Sequence, residues 1–278
     1  MAGEGLRSAS ELTQRVVSAI IMAALAVAVA WFGGLPFAVV WIGLAVAVAY
    51  EWGRVVAADQ ARLLAVAVGA VGAVFVLGGL RPGATPMVLA ALAGAIILVL
   101  VIPREGPRGW LAGGVLYAVV LAFATIAVRG EGALGFVAIL YMFAVVWMTD
   151  IGAYFAGRTF GGPKFAPRIS PKKTWSGVVG GLFSGVLFSL LVLWAFGHRV
   201  TPMNGVVSLI LGISVVYGDL FESFLKRRFG VKDAGAIIPG HGGFLDRLDG
   251  FTIAIALAAL LGAMRSGFGT VAEGLLTW

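Results

Sequence analysis

A chain of 278 residues that is 60% hydrophobic and only 12% charged is not a soluble domain in composition, since such a domain carries about twice that charged fraction. The formal net charge of +7 points to basic cytoplasmic loops rather than to nucleic acid, because Lys and Arg accumulate on the inner side of membrane proteins. The absence of cysteine excludes disulfides, thiolate zinc sites and cysteine nucleophiles.

A polar stretch, Met1 to Gln14, precedes a long apolar run without a convincing cleavage site, which reads as a retained first helix rather than a signal peptide. A bilayer crossing needs about 20 apolar residues. Apolar windows fall at 15–32, 36–53, 63–80, 86–102, 110–128, 133–156, 175–196, 205–225 and 248–264, separated by Gly33-Gly34, Arg81-Pro82-Gly83, the 103–107 segment, Arg129-Gly130-Glu131 and Gly197-His198-Arg199. The expectation is an all-α polytopic membrane protein of about nine crossings, with its ends on opposite sides. Arg7, Arg15, Arg54, Arg62, Arg104, Arg108, Arg158, Lys164, Arg168, Lys172, Lys173, Lys226, Arg227, Arg228, Lys232 and Arg247 then share one side, against Arg81, Arg129, Arg199 and Arg265 on the other. That asymmetry places the N-terminus in the cytoplasm and the C-terminus outside.

The two halves differ. Residues 1–130 read as a scaffold of about five helices nearly free of charge, with small-residue spacings such as Gly69-x-x-Gly72 that suit close helix packing. Residues 131–278 read as a catalytic region with two basic cytoplasmic loops, 157–174 and 226–247. The segment Ser223–Asp249 concentrates five basic residues, three aspartates, a histidine and five glycines, a density that is costly near lipid and marks a site.

Asp150 and Asp219 lie roughly 10 Å inside the inner ends of their helices. Glu222 shares a face with Asp219, one turn away, and Asp246 and Asp249 are similarly spaced at the start of the ninth helix. Taken singly, such acids serve as caps or arginine partners; together, recessed acids line a polar cavity. Carboxylates without cysteine and with only two histidines favour a hard cation such as magnesium. The surrounding bases suit a polyphosphate ligand. Ser170-Pro171-Lys172-Lys173-Thr174 adds more bases, and Thr174 begins a helix whose N-terminal dipole favours anions. His241, between Pro239-Gly240 and Gly242-Gly243, is free to approach a ligand closely. His198 lies on the opposite, poorly charged face.

At these residues the chain resembles the phosphatidate cytidylyltransferase (CDP-diglyceride synthetase) family. Its signature matches at Ser223, Lys226-Arg227, Lys232-Asp233, His241-Gly242-Gly243, Asp246-Arg247 and Asp249 with unchanged spacing. Asp150-x-x-Ala153-Tyr154-Phe155-x-Gly157-Arg158, the Ser170–Trp175 stretch and Gly218-Asp219-Leu220-x-Glu222-Ser223 also fit. Ser176 stands where the family often has Glu or Gln, Gly250 where it often has Ser, and a proline common a few residues later is absent. The resemblance is sharp over residues 150–250.

It implies cytidylyl transfer from CTP to phosphatidate, with one or two magnesium ions, at an inner (plasma) membrane among membrane lipids, the site facing the cytoplasm. Asp219 and Asp246 are then the expected metal ligands, with Asp249, Glu222 and Asp150 as further candidates. Lys172, Lys173, Lys226, Arg227, Lys232 and Arg247 hold the CTP or lipid phosphates. Ser170, Thr174, Ser223, Asp233, Gly242 and Gly243 line the substrate site, and His241 joins the catalytic set. A homodimer is compatible with this reading. The alternatives are another CDP-lipid synthase, a polyprenol kinase or an ion-coupled transporter. Charges confined to one half and one face argue against the transporter, which often repeats its broken helices in both halves.

Overall fold

The computed structural model describes residues 18–78, 84–102, 106–235 and 242–278. His241, Met1–Gln14, Arg15, Arg81 and Arg104 lie outside them. Ten α-helices are present among the described residues: α1 (Ser18–Phe32), α2 (Gly34–Val56), α3 (Ala61–Gly78), α4 (Ala84–Val101), α5 (Arg108–Arg129), α6 (Gly132–Phe160), α7 (Trp175–Ala195), α8 (Pro202–Arg228), α9 (Leu245–Ser266) and α10 (Val271–Leu276). Each of the nine apolar windows falls on one of α1–α9. Seven spans, α2, α3 with the 3₁₀ turn Ala58–Gln60 before it, and α5–α9, are long and apolar enough to cross a membrane. The chain is an all-α polytopic membrane protein. α1 and the apolar part of α4, Pro86–Val101, are shorter.

Five helices, α2, α5, α6, α8 and α9, outrun their apolar windows at both ends, because a helix continues through polar residues once its backbone is paired. α6 runs on to Phe160, which sets Asp150 about 15 Å from its end rather than 10. α8 starts three residues early: Thr201 and Asn204 form a reciprocal capping box and Pro202 occupies the first turn. The basic sixth connection is not a plain loop. β1 (Lys164–Ala166) and β2 (Ser170–Thr174) pair antiparallel, Lys164 opposite Thr174 and Ala166 opposite Ser170. Phe165 packs edge-on against Trp175 at 4.7 Å beside this hairpin.

Helices in lipid gain little from hydrophobic burial against one another, so close backbone approach through small residues becomes the means of association. α6 and α7 show this most clearly. A Cβ on Gly181 would meet Thr149 O at 2.5 Å, one on Gly180 would meet Ala156 Cβ at 2.3 Å, and one on Gly152 would meet Ser184 Oγ at 2.3 Å. α1 is tied to α5 by Arg129, which is buried. Its guanidinium donates to the carbonyls of Ala30 (2.6 Å), Trp31 (3.3 Å), Gly130 (3.3 Å) and Gly132 (3.1 Å), a cation on the free carbonyls of a helix C-terminus. Tyr141, Ser208 and Ser189 form a buried hydroxyl chain across α6, α8 and α7, with 2.7 and 2.8 Å links. α10, which no apolar window anticipates, packs against α9 and the start of α8. Leu276 O accepts Asn204 Nδ2 at 2.9 Å, and Arg265 stacks over Trp278.

Gly181→Leu should destabilise the protein by about 1–3 kcal/mol through overpacking, read as a lowered unfolding temperature in detergent. Gly94→Leu, at a position where an added Cβ would meet nothing within 4 Å, should leave that temperature unchanged.

Candidate active site

Two close crossings set the site. The first is the α6–α7 contact, which brings the hairpin against the end of α6. Thr174 is the N-cap of α7 and accepts the Gly177 N–H at 3.2 Å. It is buried between Gly157 and Gly177, so its hydroxyl is committed to the helix start. Ser176, the departure from the family pattern, donates its hydroxyl to Gly161 O and so ties α7 to the end of α6. Strand alternation sends Lys172 and Lys173 to opposite faces of β2.

The second crossing joins α8 and α9. A Cβ on Gly218 would lie 2.6 Å from Asp249 O and 2.7 Å from Gly250 Cα, and one on Gly250 would lie 2.8 Å from Val215 Cγ1. Gly250 therefore permits this backbone contact. The contact sets Asp219, next to Gly218, beside the first turn of α9.

The charged residues fall into two adjoining groups. In the first, Lys173 Nζ is 2.6 Å from Asp219 Oδ2. Asp249 is within electrostatic reach of Asp219, Asp150 and Lys173, and Asp150 is within reach of Asp219, Lys173 and Arg247. In the second, Lys226 Nζ bridges Glu222 Oε1 at 2.6 Å and Asp246 Oδ1 at 2.8 Å. Asp246 Oδ2 also accepts the N–H groups of Gly243 (3.1 Å) and Ala234 (3.3 Å). Glu222 is only 3% exposed, so its carboxyl group meets Lys226 rather than water. Gly242 adopts φ +85°, open to glycine at little cost, and delivers the chain to the Gly243 N–H.

Beside the second group is a cavity of about 210 Å³ lined by Ile169, Ser170, Pro171, Lys172, Ser223, Lys226, Arg227, Lys232 and Asp233. Seven of the residues singled out in the sequence thus meet there, drawn from β2, α8 and the segment after it. Four cationic side chains against one carboxylate make this wall suited to a polyanion.

Two contributors from the first half escaped the sequence reading. Glu51, on α2, is fully buried, and its Oε2 accepts the Leu245 N–H at 2.7 Å. Its signal was available: it is the one acid in the 36–53 window. Tyr117, on α5, donates its hydroxyl to Asp249 O at 3.2 Å and packs with Trp52 and Phe221; nothing in its local sequence distinguishes it from a lipid-facing aromatic residue.

The donor chemistry can be weighed against magnesium. Among the described residues no three carboxylate or imidazole groups converge on one metal-sized centre. Magnesium takes one or two carboxylates and completes its shell with phosphate oxygens and water. Asp219, a third exposed and held by a single lysine, together with Asp249 fits that partial set. Asp246 differs, since three protein donors already occupy its two oxygens.

A family model described as the cytidylyltransferase family matches residues 13–264. Proteins named phosphatidate cytidylyltransferase from Brucella suis biovar 1 (strain 1330) and Brucella melitensis biotype 1 (strain ATCC 23456) are each 42% identical over 261 residues, 92% of this chain and 94% of their own length. One of the same name from Staphylococcus aureus (strain COL) is 48% identical over 125 residues, 44% of this chain and 48% of its own. With a match that reaches from the first helix into the ninth, the chain belongs to the cytidylyltransferase family.

Proposed function

We propose that the chain is an integral membrane nucleotidyltransferase that makes CDP-diacylglycerol and pyrophosphate from CTP and phosphatidate in phospholipid biosynthesis. The observation that carries this reading is the cationic cavity of Ser170, Lys172, Lys226, Arg227 and Lys232, together with the acids Asp219, Asp249 and Asp150 that Lys173 of the same hairpin reaches. Relatives that align over nearly their whole length bear the name of that activity.

In the reaction a phosphate oxygen of phosphatidate attacks the α-phosphorus of CTP, and the bond to the β-phosphate oxygen breaks as pyrophosphate leaves. A phosphomonoester has a second pKa of about 6, so the nucleophile is largely dianionic at neutral pH and needs no general base. The obstacle is repulsion between two anions. Lys172, Arg227 and Lys232 in the cavity wall bind triphosphate oxygens and spread their charge. Lys226, oriented by Glu222 and Asp246, supplies a fixed cation at the inner edge of that wall. Lys173, which meets Asp219, and Arg247, within reach of Asp150, lie on the acid side and would meet the lipid phosphate there. Asp219 and Asp249, with Asp150 near them, would hold magnesium. Bound there, magnesium would supply positive charge to offset that of the phosphates.

In this reading residues 1–130 are scaffold and 131–278 carry the chemistry, at the cytoplasmic face of the inner membrane. The hairpin and the 226–247 segment then share a compartment where CTP is dissolved, and the recessed acids meet a lipid headgroup from the inner leaflet. The N-terminus lies in the cytoplasm and the C-terminus on the other side.

Purified protein given CTP, phosphatidate and magnesium should release pyrophosphate only when the lipid is present, and EDTA should stop it. Asp219→Asn should cut the rate by about a hundredfold or more while the unfolding temperature holds; an active Asp219→Asn protein removes Asp219 from the metal site. Single cysteines at the exposed positions Lys164 and Lys232 should both react with an impermeant maleimide from the cytoplasmic side of oriented vesicles. Reaction of either from the opposite side contradicts the orientation.

A further inference from the structure

Lys173 has a fixed base and a free head. The residue after it, Thr174, is buried as the N-cap of α7 and accepts the Gly177 N–H at 3.2 Å. The Trp175 N–H then bonds to Pro163 O at 3.1 Å, across the foot of the hairpin. The ammonium, by contrast, ends a flexible four-carbon stem and keeps 22% exposure. It lies 2.6 Å from Asp219 Oδ2 and within electrostatic reach of Asp150 and Asp249. Three acids gathered at one place need a cation near them, and Lys173 serves all three.

The grip is of the exchangeable kind. Lys226 bridges two carboxylates, of which Glu222 is 3% exposed. Lys173 bonds to one carboxylate among the described residues, and Asp219 is 34% exposed. Such a partly exposed pair is held weakly. Magnesium approaches a carboxylate oxygen to about 2.0–2.1 Å, so an ammonium on the same group would stand close to it and be repelled. We propose that Lys173 holds Asp219 in competition with magnesium, and that its ammonium turns from Asp219 to the lipid phosphate when the metal binds. The fixed hairpin keeps the released head beside the acids, while Lys172, on the other face of β2, stays in the cavity wall. Lys173 thereby couples the two events: phosphatidate meets a free lysine only after the metal is in place. The inference rests on the reading of Asp219 as a metal ligand given above.

Manganese, titrated into the detergent-purified chain without nucleotide or lipid and followed by the loss of its free electron-resonance signal, tests the competition without turnover. Lys173→Met should bind manganese about fivefold tighter than the unsubstituted protein, the weight of one partly exposed ion pair. Lys173→Arg, which keeps the cation, should stay near the unsubstituted affinity. Lys172→Met removes the same charge from the opposite face and should shift the affinity by less than about twofold. Equal or weaker manganese binding by Lys173→Met overturns the proposal, as does an equal tightening in Lys172→Met. In turnover at saturating magnesium, Lys173→Met should raise the KM for phosphatidate by about tenfold, the loss of a charged hydrogen bond, with a smaller change for CTP; an unchanged phosphatidate KM refutes the transfer of Lys173 to the lipid. Asp219→Asn separates the two failures. Manganese that binds it as tightly as the unsubstituted protein, or binds neither, refutes Asp219 as a metal ligand. Manganese lost in Asp219→Asn but unaffected by Lys173→Met refutes the competition alone.

Discussion

Lys226 suspended between Glu222 and Asp246 is the interaction on which the rest of the site depends. Three charged side chains at the end of a membrane bundle are expensive to withdraw from water, and they are tolerated when each is matched and the remaining lone pairs are filled. Here Glu222 is one turn from Lys226 on α8, Asp246 comes from α9, and backbone N–H groups of Ala234 and Gly243 complete Asp246. The bridge therefore fixes α8 against α9, Ala234 and Gly243 against Asp246, and one cation at the edge of the cavity.

That bridge can form only because the backbones come unusually close. Gly218 and Gly250 let α8 and α9 touch, and the run of glycines between α6 and α7 does the same for the other pair. Leucine or valine at these positions would separate the helices and draw Asp150, Asp219 and Asp249 apart. In water a hydrophobic core would supply the driving force for such packing. In lipid it must come from contact itself, which explains why the glycines of this chain concentrate at helix crossings near the charged groups as well as in its turns.

Much of the fold was legible because lipid imposes length and polarity on every span: within the described residues the apolar windows fall on α1–α9, seven of which are long and apolar enough to cross a membrane. The hairpin was not, since Lys164–Thr174 is short, polar and rich in glycine and proline on its flanks, and its pairing depends on α6 and α7 being in place. The gathering of Ser170, Lys172, Ser223, Lys226, Arg227, Lys232 and Asp233 was legible from sidedness and from the family resemblance. What could not be read is which charge meets which. Strand alternation sends Lys173 to Asp219 and leaves Lys172 in the cavity wall, and Asp246 turns to Lys226 and two backbone amides. Glu51 shows the opposite failure: a lone acid in an apolar window was visible, yet its target lies 194 residues away.

Cytidylyl transfer is defined by which bond of the nucleotide is broken. Purified protein incubated with phosphatidate and CTP labelled either at the α- or at the γ-phosphate gives the most direct reading. Label from the α-phosphate should enter the lipid fraction and label from the γ-phosphate should leave with pyrophosphate. Transfer of the γ-label to lipid, or lipid labelling from neither position, contradicts it.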